Sequence, residues 1–287
     1  MQARDFELSL PYLHLSARAW GDPALPPLLA LHGWLDNAAS FDRLAPLLCE
    51  HFHIVALDLP GHGQSDWRAP GAWYHFVDYP DDVLAVGDAL GWVQFGLLGH
   101  SLGGAIASIF ASICPQRINR LLLIEALGPL AGMAENSLEQ WQRALIERQR
   151  CADKKLRVFT SFDEAVTARM QASGLSRDAA QSLVSRGLKK VAGGYTWSTD
   201  PRLTLTSPLR LTETQICAVL RGIRVPTLLV GALPEPKYQN RETMQRRVDL
   251  IERIVVRQLP GSHHLHLEDA QPVAAAILDF ISGDARW

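Results

Sequence analysis

Six short and almost unbroken apolar runs constrain this chain more than any other feature. They occupy residues 28–31, 53–57, 95–98, 118–124, 225–230 and 254–259. Helical patterns separate several of them: 41–48, with apolar residues at 41, 44, 47 and 48, then 81–90, 102–113 and 241–251. A further helix, 272–281, closes the chain, and residues 6–20 alternate in places as opening β-structure. A chain that alternates strand with helix returns through crossovers, so its sheet is mostly parallel. Parallel strands are covered on both faces, which explains why these runs lack a polar alternation.

The rhythm stops between Gly128 and Gly222, where no comparable β-run occurs. Ser137-Leu138-Glu139-Gln140 reads as a capping box, followed by Trp141 and Leu145. Ser161-Phe162-Asp163-Glu164 is a second helix start, and Ala179, Leu183, Val184 and Leu188 form a third helical face. These boundaries predict a core in two parts, 1–127 and 223–287, interrupted by a helical cap or lid at 128–222. With 287 residues, 47% of them hydrophobic and 20% charged, the chain can bury a large core.

Composition excludes some functions. The 28 basic and 30 acidic side chains leave a net charge of −2, with no basic excess to neutralise phosphates, so no nucleic-acid partner is expected. The apolar runs are far shorter than the roughly 20 residues of a membrane span. Charges at Arg4, Asp5 and Glu7 interrupt any apolar leader. The four cysteines form no C-x-x-C pair, so no metal site or disulfide frame is expected and a cytoplasmic location is the default.

Gly99-His100-Ser101-Leu102-Gly103 fits G-x-S-x-G and sits between a predicted strand and a predicted helix. In that context a sharp turn lifts the serine hydroxyl above the strand end, and small residues at 99 and 103 avoid clashes. Ser101 is therefore the candidate nucleophile. A serine needs a base for its proton and donors for the developing oxyanion. The backbone N–H groups of Leu102 and of Trp34, in the loop after residues 28–31, are the candidate oxyanion donors. His32 reads as a prop for that loop. Of the late histidines, His263 stands at the mouth of the loop after 254–259 and is the candidate base, whereas His266 is placed to pack or hydrogen-bond. Two acids compete to orient it. Glu125 follows the run 118–124, and Glu235, the alternative acid, lies between two prolines after 225–230.

These motifs resemble the α/β-hydrolase superfamily. His32-Gly33-Trp34, Asp58-Leu59-Pro60-Gly61-His62-Gly63-Gln64-Ser65-Asp66, Gly99-His100-Ser101-Leu102-Gly103-Gly104 and His263-His264-Leu265-His266-Leu267-Glu268 carry the likeness in order. Within it the chain is most similar to the serine hydrolase-like proteins, through Arg186-Gly187-Leu188-Lys189-Lys190-Val191-Ala192-Gly193-Gly194 and Asp200-Pro201-Arg202-Leu203. The resemblance implies an α/β-hydrolase fold and a serine esterase without metal or organic cofactor. Ile124-Glu125-Ala126-Leu127-Gly128-Pro129 also looks like the acid position of haloalkane dehalogenases. Those enzymes use an aspartate nucleophile, where this chain has Ser101.

The expected activity is cleavage of a carboxylic ester, or a related acyl bond, of a small to medium apolar molecule through an acyl-enzyme on Ser101. Thioesters, lactones and carbon–carbon bonds beside a carbonyl use related chemistry. Trp141, Phe159, Phe162 and Met170 are candidate pocket walls, although burying the cap is the commoner role for such side chains. The competing reading is a non-catalytic ligand-binding or scaffold protein on the same fold.

Overall fold

The computed structural model describes residues 3–151, 156–234 and 240–283. In chain order the first part holds β1 (Arg4–Ser9), β2 (His14–Trp20), β3 (Pro27–Leu31), α1 (Ala45–Leu48), β4 (His53–Leu57), α2 (Tyr79–Ala89), β5 (Phe95–His100), α3 (Leu102–Ile113) and β6 (Ile118–Ile124). The middle part holds α4 (Ser137–Cys151), β7 (Val158–Phe159), α5 (Phe162–Ser173), α6 (Arg177–Gly187), β8 (Leu188–Val191), β9 (Gly194–Trp197) and α7 (Glu213–Leu220). The last part holds β10 (Thr227–Leu233), α8 (Arg241–Val248), β11 (Ile254–Pro260), α9 (Leu265–Glu268) and α10 (Ala270–Gly283).

The main sheet runs β1-β2-β4-β3-β5-β6-β10-β11. Only β1 and β2 are antiparallel to their neighbours, and the strands from β4 to β11 pair in parallel. Alternate residues of one strand enter different cores. Leu29 and Leu31 of β3 join Val55, Leu97 and Leu121 beneath α2, α3 and α7. Leu28 and Ala30 join Ile54, Leu98 and Leu122 beneath the residues around α1 and α10. Both faces are thus dry, and the apolar runs are continuous because each residue has a core to enter.

Three readings of the sequence are corrected. The stretch 41–48 is not one helix but a 3-10 turn (Ala38–Phe41) followed by α1, with Pro46 in its first turn. Proline has no N–H to continue a helix and serves only near a helix start. Ser137 caps nothing; a 3-10 turn precedes α4 and the Ser137 hydroxyl donates to Ala134 O at 2.7 Å. The middle part is not purely helical, since β7, β9 and β8 form a small antiparallel sheet. Ser161 does cap α5, accepting from the Glu164 N–H.

The middle part has its own small core around Phe159, Val166, Leu183 and Val184. It is pinned to the main sheet by Arg186 of α6, whose Nε donates to both oxygens of Asp58 at 3.0 and 2.9 Å and whose Nη2 donates to the Ser16 hydroxyl. Asp58 is wholly buried and also accepts from the N–H groups of Ala38 and Gln64, both at 2.7 Å. Among the described residues no helix is long and apolar enough to cross a membrane.

Candidate active site

Strand register brings the chemistry together. His100 at the end of β5 pairs with Ile124 at the end of β6, so Ser101 and Glu125 leave the sheet side by side. The Ser101 N–H donates to Ile124 O at 3.0 Å. Ser101 has φ 51° and ψ −112°, a strained conformation for a residue with a side chain. The turn is possible because residue 103 is glycine: a methyl there would overlap the Leu31 carbonyl. The same approach lets the Gly103 N–H donate to His32 O at 3.0 Å, which fastens the loop after β3 to the turn.

Glu125 also lies in the left-handed region, at φ 61°. Its backbone N–H donates to Val230 O at 2.9 Å, and its Oε1 accepts from the Ala232 N–H at 2.6 Å. Its Oε2 stands 3.1 Å from His263 Nδ1. A carboxylate oxygen accepts, so Nδ1 carries the hydrogen and Nε2 keeps the lone pair. His263 is reached from the other side by His100, whose Nε2 donates to the His263 carbonyl at 2.8 Å. The two rings lie 4.7 Å apart between centroids. The loop bearing His263 therefore rests on the residue that precedes Ser101. The alternative acid, Glu235, lies outside the described residues.

Leu102 opens α3, so the helix itself offers its N–H no carbonyl partner. Trp34 stands in the loop after β3; its indole is half-exposed and Nε1 donates to Leu203 O at 3.0 Å, which bridges the loop to the middle part. His32 Nε2 accepts from the Leu59 N–H at 3.0 Å, so Nδ1 carries the hydrogen and donates to Gly33 O at 2.7 Å. Burial lowers its pKa to about 4. It braces two loops and is neutral at ordinary pH. His266 is wholly buried, with Nε2 2.8 Å from the Ser40 hydroxyl.

Sequence reasoning missed a second group beside this one. Asp36, in the loop after β3, is buried and its Oδ2 accepts from His264 Nε2 at 3.2 Å. Its Oδ1 accepts from Arg169 of α5, which also donates to Leu35 O at 3.2 Å. Burial pushes the Asp36 carboxyl up, but the hydrogen bond and charge of His264 and the charge of Arg169 outweigh it and hold the group well below the usual carboxylate range. Asp36, His100 and His264 have ligating atoms within 4.8 Å of one another, a spacing that could hold a metal ion. Here both oxygens of Asp36 already serve Arg169 and His264. The sequence signal was the acid in Trp34-Leu35-Asp36-Asn37, but nothing in a loop sequence says which residue turns inward.

A cavity of about 370 Å³ adjoins the loop after β3. Leu35, Phe159, Ala168, Leu183, Val184 and Trp197 supply much of its wall. Of the four expected wall residues, Phe159 lines it, Phe162 and Met170 pack around the core of the middle part, and Trp141 is 47% exposed on α4. Trp141 lies to one side of the face of α4 that docks, where Gln140 donates to Ser207 O and Glu147 accepts from the Thr206 N–H.

The family described as alpha/beta hydrolase fold matches residues 26–270. The human protein named serine hydrolase-like protein 2 is 31% identical, over 96% of this chain and 93% of its own length. A crystal structure of a hypothetical protein from Pseudomonas aeruginosa PAO1 is 43% identical, with a TM-score of 0.90 over 98% of this chain and 99% of that one. The structure titled thioesterase domain from the curacin biosynthetic pathway is 26% identical, with a TM-score of 0.84 over 97% of this chain and 100% of that one.

Proposed function

The chain belongs to the α/β-hydrolase fold family, among the serine hydrolase-like proteins, and from that premise we propose that it cleaves carboxylic esters, or related acyl bonds, through an acyl-enzyme on Ser101. One observation carries the reading: a buried carboxylate, fixed by the Ala232 N–H, meets Nδ1 of His263, whose carbonyl is held by His100, the residue before the strained serine. That pairing leaves His263 Nε2 able to accept a proton.

His263 takes the hydroxyl proton as Ser101 Oγ bonds to the acyl carbon. Glu125 stabilises the imidazolium that results. The N–H groups of Leu102 and Trp34 receive the oxyanion of the tetrahedral intermediate, a term worth about 3–4 kcal/mol per donor. The carbon–oxygen bond to the leaving alcohol then breaks, and His263 returns the proton to that alcohol. Water repeats the sequence, giving its proton to His263 as it attacks the acyl carbon, and the acid departs as Ser101 recovers the proton.

Residues 128–222 serve as the cap in this reading. The cavity walled by Leu35 and the cap is not lined by Ser101, His263 or Glu125; in this reading it is the space beside the loop after β3 that takes an apolar acyl or alcohol portion of small to medium size. No metal or organic cofactor enters the mechanism. Four cysteines free of disulfides suit a cytoplasmic protein.

Labelling with a fluorophosphonate tests the proposal. The wild-type chain should be labelled once and Ser101→Ala not at all. A series of p-nitrophenyl esters of increasing chain length, with thioesters and lactones alongside, should then rank the acyl bonds. A folded wild-type protein that neither labels nor turns over any of these would favour the non-catalytic reading.

A further inference from the structure

The loop of His263 is held at two consecutive positions, and the second of them rests on a buried carboxylate. The carbonyl of His263 accepts from His100 Nε2, and the next side chain, His264, donates Nε2 to Asp36 Oδ2. The other nitrogen of His100, Nδ1, faces that same oxygen at 3.7 Å. It makes no hydrogen bond there, because Nε2 holds the ring's hydrogen and Nδ1 and Asp36 both offer lone pairs. His100 therefore holds the His263 carbonyl but is not itself linked to Asp36. Asp36 holds its place through its other oxygen, on Arg169.

Arg169 belongs to the cap. It stands on α5, its side chain is 13% exposed, and it spans to the loop after β3 by donating to Leu35 O and Asp36 together. That loop carries Trp34, a proposed oxyanion donor. One guanidinium on the cap thus touches the loop that bears an oxyanion donor and, through a single carboxylate, the loop that bears the base. Charge enforces the arrangement: a buried carboxylate is strongly disfavoured without its cation, so Asp36 holds both partners.

Resting on the hydrolase reading above, we propose that Asp36 and Arg169 are positioning residues that couple the seat of the cap to the alignment of His263. When the cap sits on the core, Arg169 orders Asp36, Asp36 orders His264, and the loop that carries His263 is held in place. When the cap lifts, Asp36 loses its cation and the base loop loosens. Turnover then depends on cap seating through the base, in addition to any effect on substrate binding.

The test uses the full chain with Arg169→Ala, Asp36→Asn and the double variant, an activated ester, and hydrogen exchange of residues 262–266. A small misplacement of a catalytic group costs about 10- to 100-fold in rate. Arg169→Ala should lower kcat by about tenfold or more with KM within about threefold, and added guanidinium ion should restore part of it. The double variant should be no slower than the slower single variant, since both act through one link. Exchange at 262–266 should rise in Arg169→Ala although the substitution lies in a distant segment. Unchanged kcat, a change confined to KM, or additive losses would overturn the coupling, as would unchanged exchange in the base loop. If wild type itself is not labelled at Ser101, the hydrolase reading fails first. Exchange at 262–266 still judges the mechanical link in that case, and the catalytic role of Arg169 falls with its parent.

Discussion

Replacing Glu125 by Gln changes one atom in the site and has a consequence that the hydrogen-bond geometry dictates. Glu125 serves two donors, the Ala232 N–H at 2.6 Å and His263 Nδ1 at 3.1 Å. An amide has one acceptor oxygen and one NH2 group. The Ala232 N–H belongs to the backbone of β10 and cannot reverse, so it claims the oxygen. The NH2 then faces His263, which must present a lone pair at Nδ1 and move its hydrogen to Nε2. In that tautomer the imidazole cannot accept the Ser101 proton. Loss of tautomer control in such an arrangement costs about 10⁴-fold in kcat, or about 5 kcal/mol of transition-state stabilisation. Stopped assays with an activated p-nitrophenyl ester should show that fall in kcat with little change in KM, in a protein whose urea midpoint stays near wild type. A kcat within tenfold of wild type would refute the reasoning and move the acid role to Glu235.

The remaining predictions concern stability. Arg186→Ala leaves the wholly buried Asp58 without its cation, which should cost about 3–5 kcal/mol by urea denaturation; a loss under about 1 kcal/mol would show that the pin between α6 and the sheet carries little. Acid should destabilise the fold. Burial lowers His32, His62 and His266 to about 4, 3 and 3, and His100 well below the ordinary value of 6.5 at which the unfolded chain titrates. The unfolded chain therefore binds more protons, so this stability is whole above pH 6.5 and is lost as pH falls toward 4. Asp42 and Asp82, raised to about 6 chiefly by burial, act the opposite way below pH 6. Asp58, likewise raised by burial, adds a third opposing carboxyl, so one uncompensated histidine remains and the net loss is on the order of 1.4 kcal/mol per pH unit. Urea midpoints that do not fall between pH 7 and pH 5 would contradict this account.

Local rules made the sheet legible in advance. The runs at 28–31, 53–57, 95–98 and 118–124 are strands because each alternate residue has a core on its own side of the sheet. Leu102–Ile113 and Ile118–Ile124 fall where the pattern set them. The sequence placed Ser101 and Glu125 at the ends of β5 and β6 and His263 in the loop after β11, and the structure puts them there, with Glu125 meeting His263. The small sheet of the middle part was not legible, since Val158–Phe159 is two residues long and gives no period to count. Asp36 and Arg169 were not legible either. They lie 133 residues apart and meet only through the seat of one segment on another, which no local pattern encodes.

Backbone strain marks the same place by an independent route. Among the described residues the non-glycine positions with positive φ are Leu35, Ser101 and Glu125. Each lies in the loop that follows a strand: Leu35 after β3, Ser101 after β5 and Glu125 after β6, three neighbours in the sheet order. Such a conformation costs on the order of 1–3 kcal/mol at each position, and chance would scatter it over the loops of a chain this long. The reversed backbone goes with directed contacts: the Glu125 carboxylate meets both Ala232 and His263, and the Leu35 carbonyl reaches Arg169. The strain is held in place by the bonds made next to it, from Ser101 N–H to Ile124 O, from Glu125 N–H to Val230 O and from Gly103 N–H to His32 O. A fold retained only as a scaffold gains nothing from three adjacent strained turns, so their coincidence with the proposed nucleophile, acid and oxyanion loop argues for chemistry at this edge of the sheet.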